Sequence, residues 1–356
     1  MIILIFLWIL FLKIVYHDDE CASIVHTKSS HKYQIFSSKH HWIDSRLKLH
    51  HTTILGTHNS YHKSNRFYRY EHSDLDVQLM SGIRQIELDI HVSHKNYLVF
   101  HLQIIDDRSN CYCFNDCLLK IRRWIERNPS HYPIFLFIEI KQRLYEDFLT
   151  AFTGGIQCEH IYSLKQQILE VFSSDSLILP DFIRGHHRSI KTALKNQRND
   201  ELGGDYEYRK YGWPPISLSL GKILISIIDD RFNLFIDLIP TCKPLTNFFF
   251  ICQSNLNVSY ASIVSIGNPL GKEQLIMSSH INGQLTRTLI GYGGEQSFRR
   301  YIQARRYGIH IISTDFVQCK HSKLCQSTTS DFPGSTPVIC NHVLAPSFCN
   351  LSINYL

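Results

Sequence analysis

Between residues 56 and 141, two histidines, three carboxylates, an amide and a lysine stand where short apolar runs end. They occur in Gly56-Thr57-His58-Asn59-Ser60-Tyr61, in Glu87-Leu88-Asp89, at His101 after Tyr97-Leu98-Val99-Phe100, and in Ile134-Phe135-Leu136-Phe137-Ile138-Glu139-Ile140-Lys141. One residue separates Glu87 from Asp89, so on a strand both carboxylates share a face and repel each other. A divalent cation stabilises such a pair, with Glu139 as a third oxygen group and the Asn59 amide as a fourth. Four oxygen donors without a thiolate favour Ca²⁺ or Mg²⁺ over zinc. His58 and His101 suit cleavage of a phosphodiester: one takes the proton of an attacking hydroxyl and the other gives one to the departing alkoxide. An imidazole of pKa about 6.5 serves for both near neutrality. Lys141 shares the face of Glu139 and offsets charge growing on phosphoryl oxygens. Each feature alone has a plainer reading, because Glu-x-Asp is frequently a solvent-facing pair, a strand lysine is commonly an edge residue, and most of the 21 histidines must be surface or structural groups. Their conjunction at strand ends is what marks a site.

Catalytic groups gather at strand ends in a barrel of parallel strands, at its C-terminal mouth. The chain has the matching pattern. Apolar runs recur at His51–Gly56, Ile83–Ile90, Leu98–His101, Ile134–Ile140, Ile223–Asp229, Asn247–Gln253, Gln284–Ile290 and Gly308–Asp315. Segments of helical period lie between several of them, among them Asn115–Arg127 and Leu164–Phe172. Eight runs with intervening helices predict an α/β fold, a TIM-type (β/α)8 barrel. From Cys319 onward the pattern dissolves into Ser, Thr, Pro and Cys, which reads as a disulfide-tied C-terminal extension.

The 356 residues are 44% hydrophobic and 19% charged, a globular composition, and the net charge of +6 is spread without the dense basic run of a nucleic-acid arm. The densest basic segment, Arg184, His186, His187, Arg188, Lys191, Lys195 and Arg198, suits either an anionic lipid surface or a solvated helix face. Residues Met1 to Tyr16 are apolar except for Lys13 and too short for a hydrocarbon core of about 30 Å, so residues 1–22 read as a secretory signal peptide, with a signal-anchor as the other reading. The eleven cysteines show no C-x-x-C pair and fit disulfides made in an oxidising compartment, with an odd thiol left over unless Cys21 departs with the leader. Asn257-Val258-Ser259 and Asn350-Leu351-Ser352 are glycosylation acceptors on that route. A secreted protein is expected.

The segments Gly56–His62, Gln78-Leu79-x-x-Gly82-Ile83-Arg84-x-Ile86-Glu87-Leu88-Asp89, Phe100-His101-x-x-x-Ile105-Asp106-x-x-Ser109-x-Cys111, Asp116-Cys117-Leu118 and Ile138-Glu139-x-Lys141 together resemble the X-region of phosphatidylinositol-specific phospholipases C. The secreted, calcium-dependent bacterial branch is the nearest, and Leu179-Pro180-Asp181, Gly212-Trp213-Pro214 and Ile312-Ser313-Thr314-Asp315 extend the likeness. The resemblance implies an irregular barrel over residues 45–318, a Cys-rich extension over 319–356, and cleavage between diacylglycerol and phosphoinositol. It assigns Ca²⁺ to Asn59, Glu87, Asp89 and Glu139. His101 becomes the acid toward diacylglycerol, His58 the base or a stabiliser of pentacoordinate phosphorus, and Lys141 a contact to phosphate or inositol. Arg84 and Arg287 are the further cationic candidates for the inositol hydroxyls. The implied partner is a phospholipid membrane surface, met by a monomer, with no nucleic acid. A glycerophosphodiester phosphodiesterase or sphingomyelinase-D-like enzyme is the alternative, although its His-Arg-Gly start is not reproduced by Thr57-His58-Asn59-Ser60.

Overall fold

The computed structural model describes residues 21, 43–93, 96–102, 105–141, 156–229, 240–292, 295–315, 331–332 and 336–351. Eight parallel strands close into a barrel in chain order: β1 Thr52–Thr57, β2 Gln85–Ser93, β3 Ile134–Lys141, β4 Ile223–Ile228, β5 Phe250–Gln253, β6 Ala261–Gly267, β7 Leu285–Leu289 and β8 Ile311–Thr314. Helices on the outside include α1 Leu75–Met80, α2 Phe114–Arg127 and α3 Cys158–Val171.

Alternation along β2 shows why the strand forms as it does. Ile86, Leu88 and Ile90 point outward into a core shared with Leu118, Ile121, Ile161 and Leu164 of the helices. Gln85, Glu87, Asp89 and His91 therefore fall on the interior face, and all four are buried. A second core fills the lower barrel with Phe135, Phe137, Leu224, Ile263, Leu285 and Ile311. Trp213 plugs its base: fully buried, it donates its indole N–H to the Gly283 carbonyl at 2.9 Å and stacks on Phe250. Apolar side chains fill the lower barrel beneath the carboxylates of β2 and β3.

Eight strands were expected and eight form, but the set differs in one member. Leu98–His101 is no barrel strand: Asn96–Val99 runs antiparallel to β2, Ile90 opposite Val99, and folds back over the barrel mouth. The missing member is β6, whose serines Ser262 and Ser265 interrupt the apolar run that would have marked it. The expected extension also contributes to the sheet. Val338–Cys340 pairs antiparallel with the lower half of β1, Thr52 opposite Cys340, while the upper half of the same edge meets β2 only at Gly56 and Gln85. The barrel is irregular here because the chain's end occupies part of its seam. A Cβ on Gly56 would lie 2.0 Å from the Gln85 side chain that crosses this seam, so only glycine fits.

Four disulfides tie the described residues: Cys21–Cys113, Cys111–Cys117, Cys158–Cys242 and Cys340–Cys349. Cys252 is buried on β5, and Cys319 and Cys325 lie outside the described residues. The Cys21–Cys113 bond joins Cys21, which falls within the expected leader of residues 1–22, to the residue before α2. The rest of that leader lies outside the described residues. None of the described helices is long and apolar enough to cross a membrane. Asn257 and Asn350 are both exposed, as acceptor sites must be.

Candidate metal and catalytic site

The parallel register of β2 and β3 sets Asp89 beside Glu139 and Glu87 beside Phe137. Oxygens of Glu87, Asp89 and Glu139 thereby come within 4.8 Å of one another. Asn59 lies buried in the turn after β1, where it takes a left-handed φ of 47° that asparagine tolerates. The turn is stitched to β2, Ser60 N–H donating to the Glu87 carbonyl at 3.0 Å and Glu87 N–H to Ser60 Oγ at 2.8 Å.

Three clustered carboxylates in a buried place are costly unless cations accompany them. Arg287 of β7 donates to Glu87, and Lys141 Nζ lies 2.6 Å from Glu139 and 3.2 Å from Asp89. Even so, burial pushes the carboxyls of Glu87 and Asp89 above their usual range against the pull of Arg287, Lys141 and the nearby histidines. Burial disfavours the charged Lys141 in turn, yet Asp89 and Glu139 outweigh it and raise its pKa. The buried Asp89 Oδ1 and Asn59 Oδ1 accept no hydrogen bond. Unused hard oxygens beside excess negative charge are what a Ca²⁺ ion requires, so the four expected ligands fit it.

Each candidate histidine leans on a buried aspartate. His58 Nδ1 lies 2.8 Å from Asp315 Oδ1, and its Nε2 is 3.9 Å from Glu87. Burial opposes a charged His58, but Glu87 and then Asp315 overcome it and raise its pKa. His101 Nδ1 lies 2.8 Å from Asp106 Oδ2, and Asp106 Oδ1 takes a second hydrogen bond from His62 Nε2 at 2.7 Å. Despite burial, His101 and His62 hold Asp106 below the usual carboxylate range. His101 reaches the mouth because the antiparallel strand brings the chain back there. Both histidines are close enough for their charges to act on Asp89.

One expected residue is elsewhere. Arg84 precedes β2, and its carbonyl accepts from Phe135 N–H at the foot of β3, at the barrel end opposite Glu139. Its guanidinium donates to the Leu79 and Ile83 carbonyls and lies over Trp124, and burial alone lowers its pKa to about 9. Arg84 is thus a structural clamp for α1 and not a substrate contact, because a group before a parallel strand lies at the bottom of a barrel. Arg287 does reach the mouth but engages Glu87. Two residues were passed over as orienting groups, Asp106 and Asp315. Asp315 ends the apolar run of β8, the same signal that marks Glu139, whereas Asp106 lies in a loop with no periodic signal at all.

The model of the family described as Ca²⁺-dependent phosphoinositide phospholipase C matches residues 92–342, past the boundary at 318 and into the C-terminal strand. Among solved structures, a calcium-dependent phosphoinositol-specific phospholipase C from Pseudomonas sp., crystallised in its apo form with myoinositol, superposes with a TM-score of 0.57 at 16% identity, covering 84% of this chain and 98% of that one. A Ca²⁺-dependent phosphatidylinositol-specific phospholipase C from Streptomyces antibioticus gives 0.56 at 16% identity, covering 83% and 99%. Among curated proteins none matches the chain by sequence.

Proposed function

Because this chain belongs to the Ca²⁺-dependent phosphoinositide phospholipase C family, we propose that it cleaves phosphatidylinositol, or a close inositol phospholipid, to diacylglycerol and an inositol phosphate by histidine general acid and base catalysis. The carrying observation is the mouth itself: three carboxylates within 4.8 Å of one another, flanked by two histidines each held by an aspartate. Bound Ca²⁺ would supply charge against that developing on the phosphoryl oxygens.

The remaining work belongs to the side chains. Asp315 accepts from His58 Nδ1–H, which leaves Nε2 to take the proton of the attacking inositol hydroxyl, and the raised pKa of His58 suits a proton acceptor. The hydroxyl oxygen bonds to phosphorus as the bond to the glycerol oxygen breaks. Asp106 fixes His101 through Nδ1, so its Nε2–H points toward the departing diacylglycerol alkoxide and protonates it. Lys141, between Asp89 and Glu139, is poised to turn to a phosphate when a metal ion relieves those carboxylates. Secretion as a monomer that acts at a membrane surface completes the reading. The Cys21–Cys113 bond suits folding in an oxidising compartment.

The test is mass analysis of products from mixed phospholipid vesicles. Diacylglycerol and a water-soluble inositol phosphate should come from phosphatidylinositol, with little release from phosphatidylcholine, because the choline head group carries no hydroxyl to attack phosphorus. Activity should vanish with chelator and return with Ca²⁺. Choline or glycerophosphate as the dominant product, or full activity in excess chelator, refutes the reading.

A further inference from the structure

At the end of the barrel opposite the mouth, a cavity of about 170 Å³ opens between the first turn of the helix Ile190–Leu202 and the first residues of β5 and β6. Its floor is apolar, made by Phe249, Phe250 and Leu245. Its polar lining includes Arg184, Arg188, Ser189, Tyr260 and Ser262, and none of the lining residues is acidic. Ser262 is fully buried and its Oγ has no hydrogen-bond partner. The Tyr260 hydroxyl and Arg184 Nε are likewise buried without a partner, although the other end of the Arg184 guanidinium is tied to Asp181 at 2.6 Å. Two buried hydroxyls and one guanidinium N–H around one cavity thus await an acceptor.

We propose that this cavity is a second binding site, separate from the catalytic mouth, for a small phosphomonoester. Two guanidinium groups without a lining carboxylate select an anion, and planar donors suit the tetrahedral oxygens of phosphate. Ser262 and Tyr260 complete the set of donors, and the positive end of the thirteen-residue helix capped by Ser189 adds to the field. The volume is below the roughly 300–1,000 Å³ of drug-sized sites, so the ligand carries only a few carbons within the cavity, and these rest on the phenylalanine floor. A free phosphomonoester and the head group of phosphatidic acid share this chemistry. The neighbouring Lys191 and Lys195 would meet a lipid surface only in the second case.

The site is tested by calorimetric titration of the full chain with glycerol 3-phosphate and by co-sedimentation with phosphatidylcholine vesicles with and without phosphatidic acid. Because the mouth also accepts phosphate esters, each measurement is repeated on Arg188→Ala and Ser262→Ala. Arg188 is exposed and the serine loses only an oxygen, so both variants should fold and hydrolyse phosphatidylinositol as before. Each should weaken glycerol 3-phosphate binding about tenfold at one of two sites, the loss of a charge-assisted hydrogen bond. Phosphatidic acid-dependent sedimentation that is lost in Arg188→Ala, with no binding of the free ester, assigns the site to lipid instead. No binding of either, or binding unchanged in both variants, overturns the proposal.

Discussion

At the level of single side chains, the expected behaviour follows from the aspartates. If His58 and His101 act in one chemical step, alanine at either should lower turnover by about 10²–10⁴, and the double variant should lose less than the product of the two. Steady-state kinetics on the three variants read this directly, and independent, multiplying losses would separate the residues. His62 is not a neutral control, because it shares Asp106 with His101. Asp106→Asn should therefore impair both partners and lower kcat for inositol lipid more than it raises KM, read from steady-state kinetics. His91 bonds to the Phe100 carbonyl at 3.0 Å and stacks on that ring, so His91→Gln should keep the chemistry while costing stability. Glu87→Gln leaves Arg287 facing a neutral amide. It should weaken Ca²⁺ binding, measured by titration of the metal alone, and abolish most turnover while the fold persists.

At the level of strands and helices, position relative to the strand direction decides a residue's role. Arg84 and Lys141 are both cations flanking parallel strands, yet one sits before β2 and the other at the end of β3, at opposite ends of the barrel. Arg84→Met should accordingly leave KM for inositol lipid unchanged and lower the melting temperature, since Leu79 and Ile83 lose their buried donor. A raised KM with unaltered melting would return Arg84 to the substrate. The same logic explains the one strand that differs from expectation. Leu98–His101 has the hydrophobicity of a barrel strand, and only its antiparallel pairing with β2 shows that it doubles back. β6 has the position, but Ser262 and Ser265 break its apolar run and its pairing with β5 slips after Ala261.

Over the whole molecule, the base of the barrel holds histidines that burial keeps neutral. His51, His131 and His280 have pKa values lowered to about 4, chiefly by burial, and His310 lies well below its ordinary value. Below pH about 6.5 the unfolded chain takes protons that the folded one refuses, so stability should fall as pH drops from 6.5 toward 4, each unit of difference being worth about 1.4 kcal/mol per group. Denaturant midpoints across that range should fall with acid, and less steeply in His280→Gln; a flat profile would contradict the buried neutral state. This histidine base was not legible beforehand, because nothing local distinguishes a buried imidazole from an exposed one. What the amino-acid order determined by itself is the barrel class and the placing of Glu87, Asp89 and Glu139 on neighbouring strand faces, because a period of two and the ends of apolar runs are local properties of strands. Only the tertiary structure decided which strands close the barrel, which aspartates hold the histidines, that Arg84 is remote while Arg287 meets Glu87, and that Cys21 belongs to the folded domain. Those outcomes depend on contacts between residues as many as 257 positions apart, such as His58 with Asp315, which no local pattern encodes.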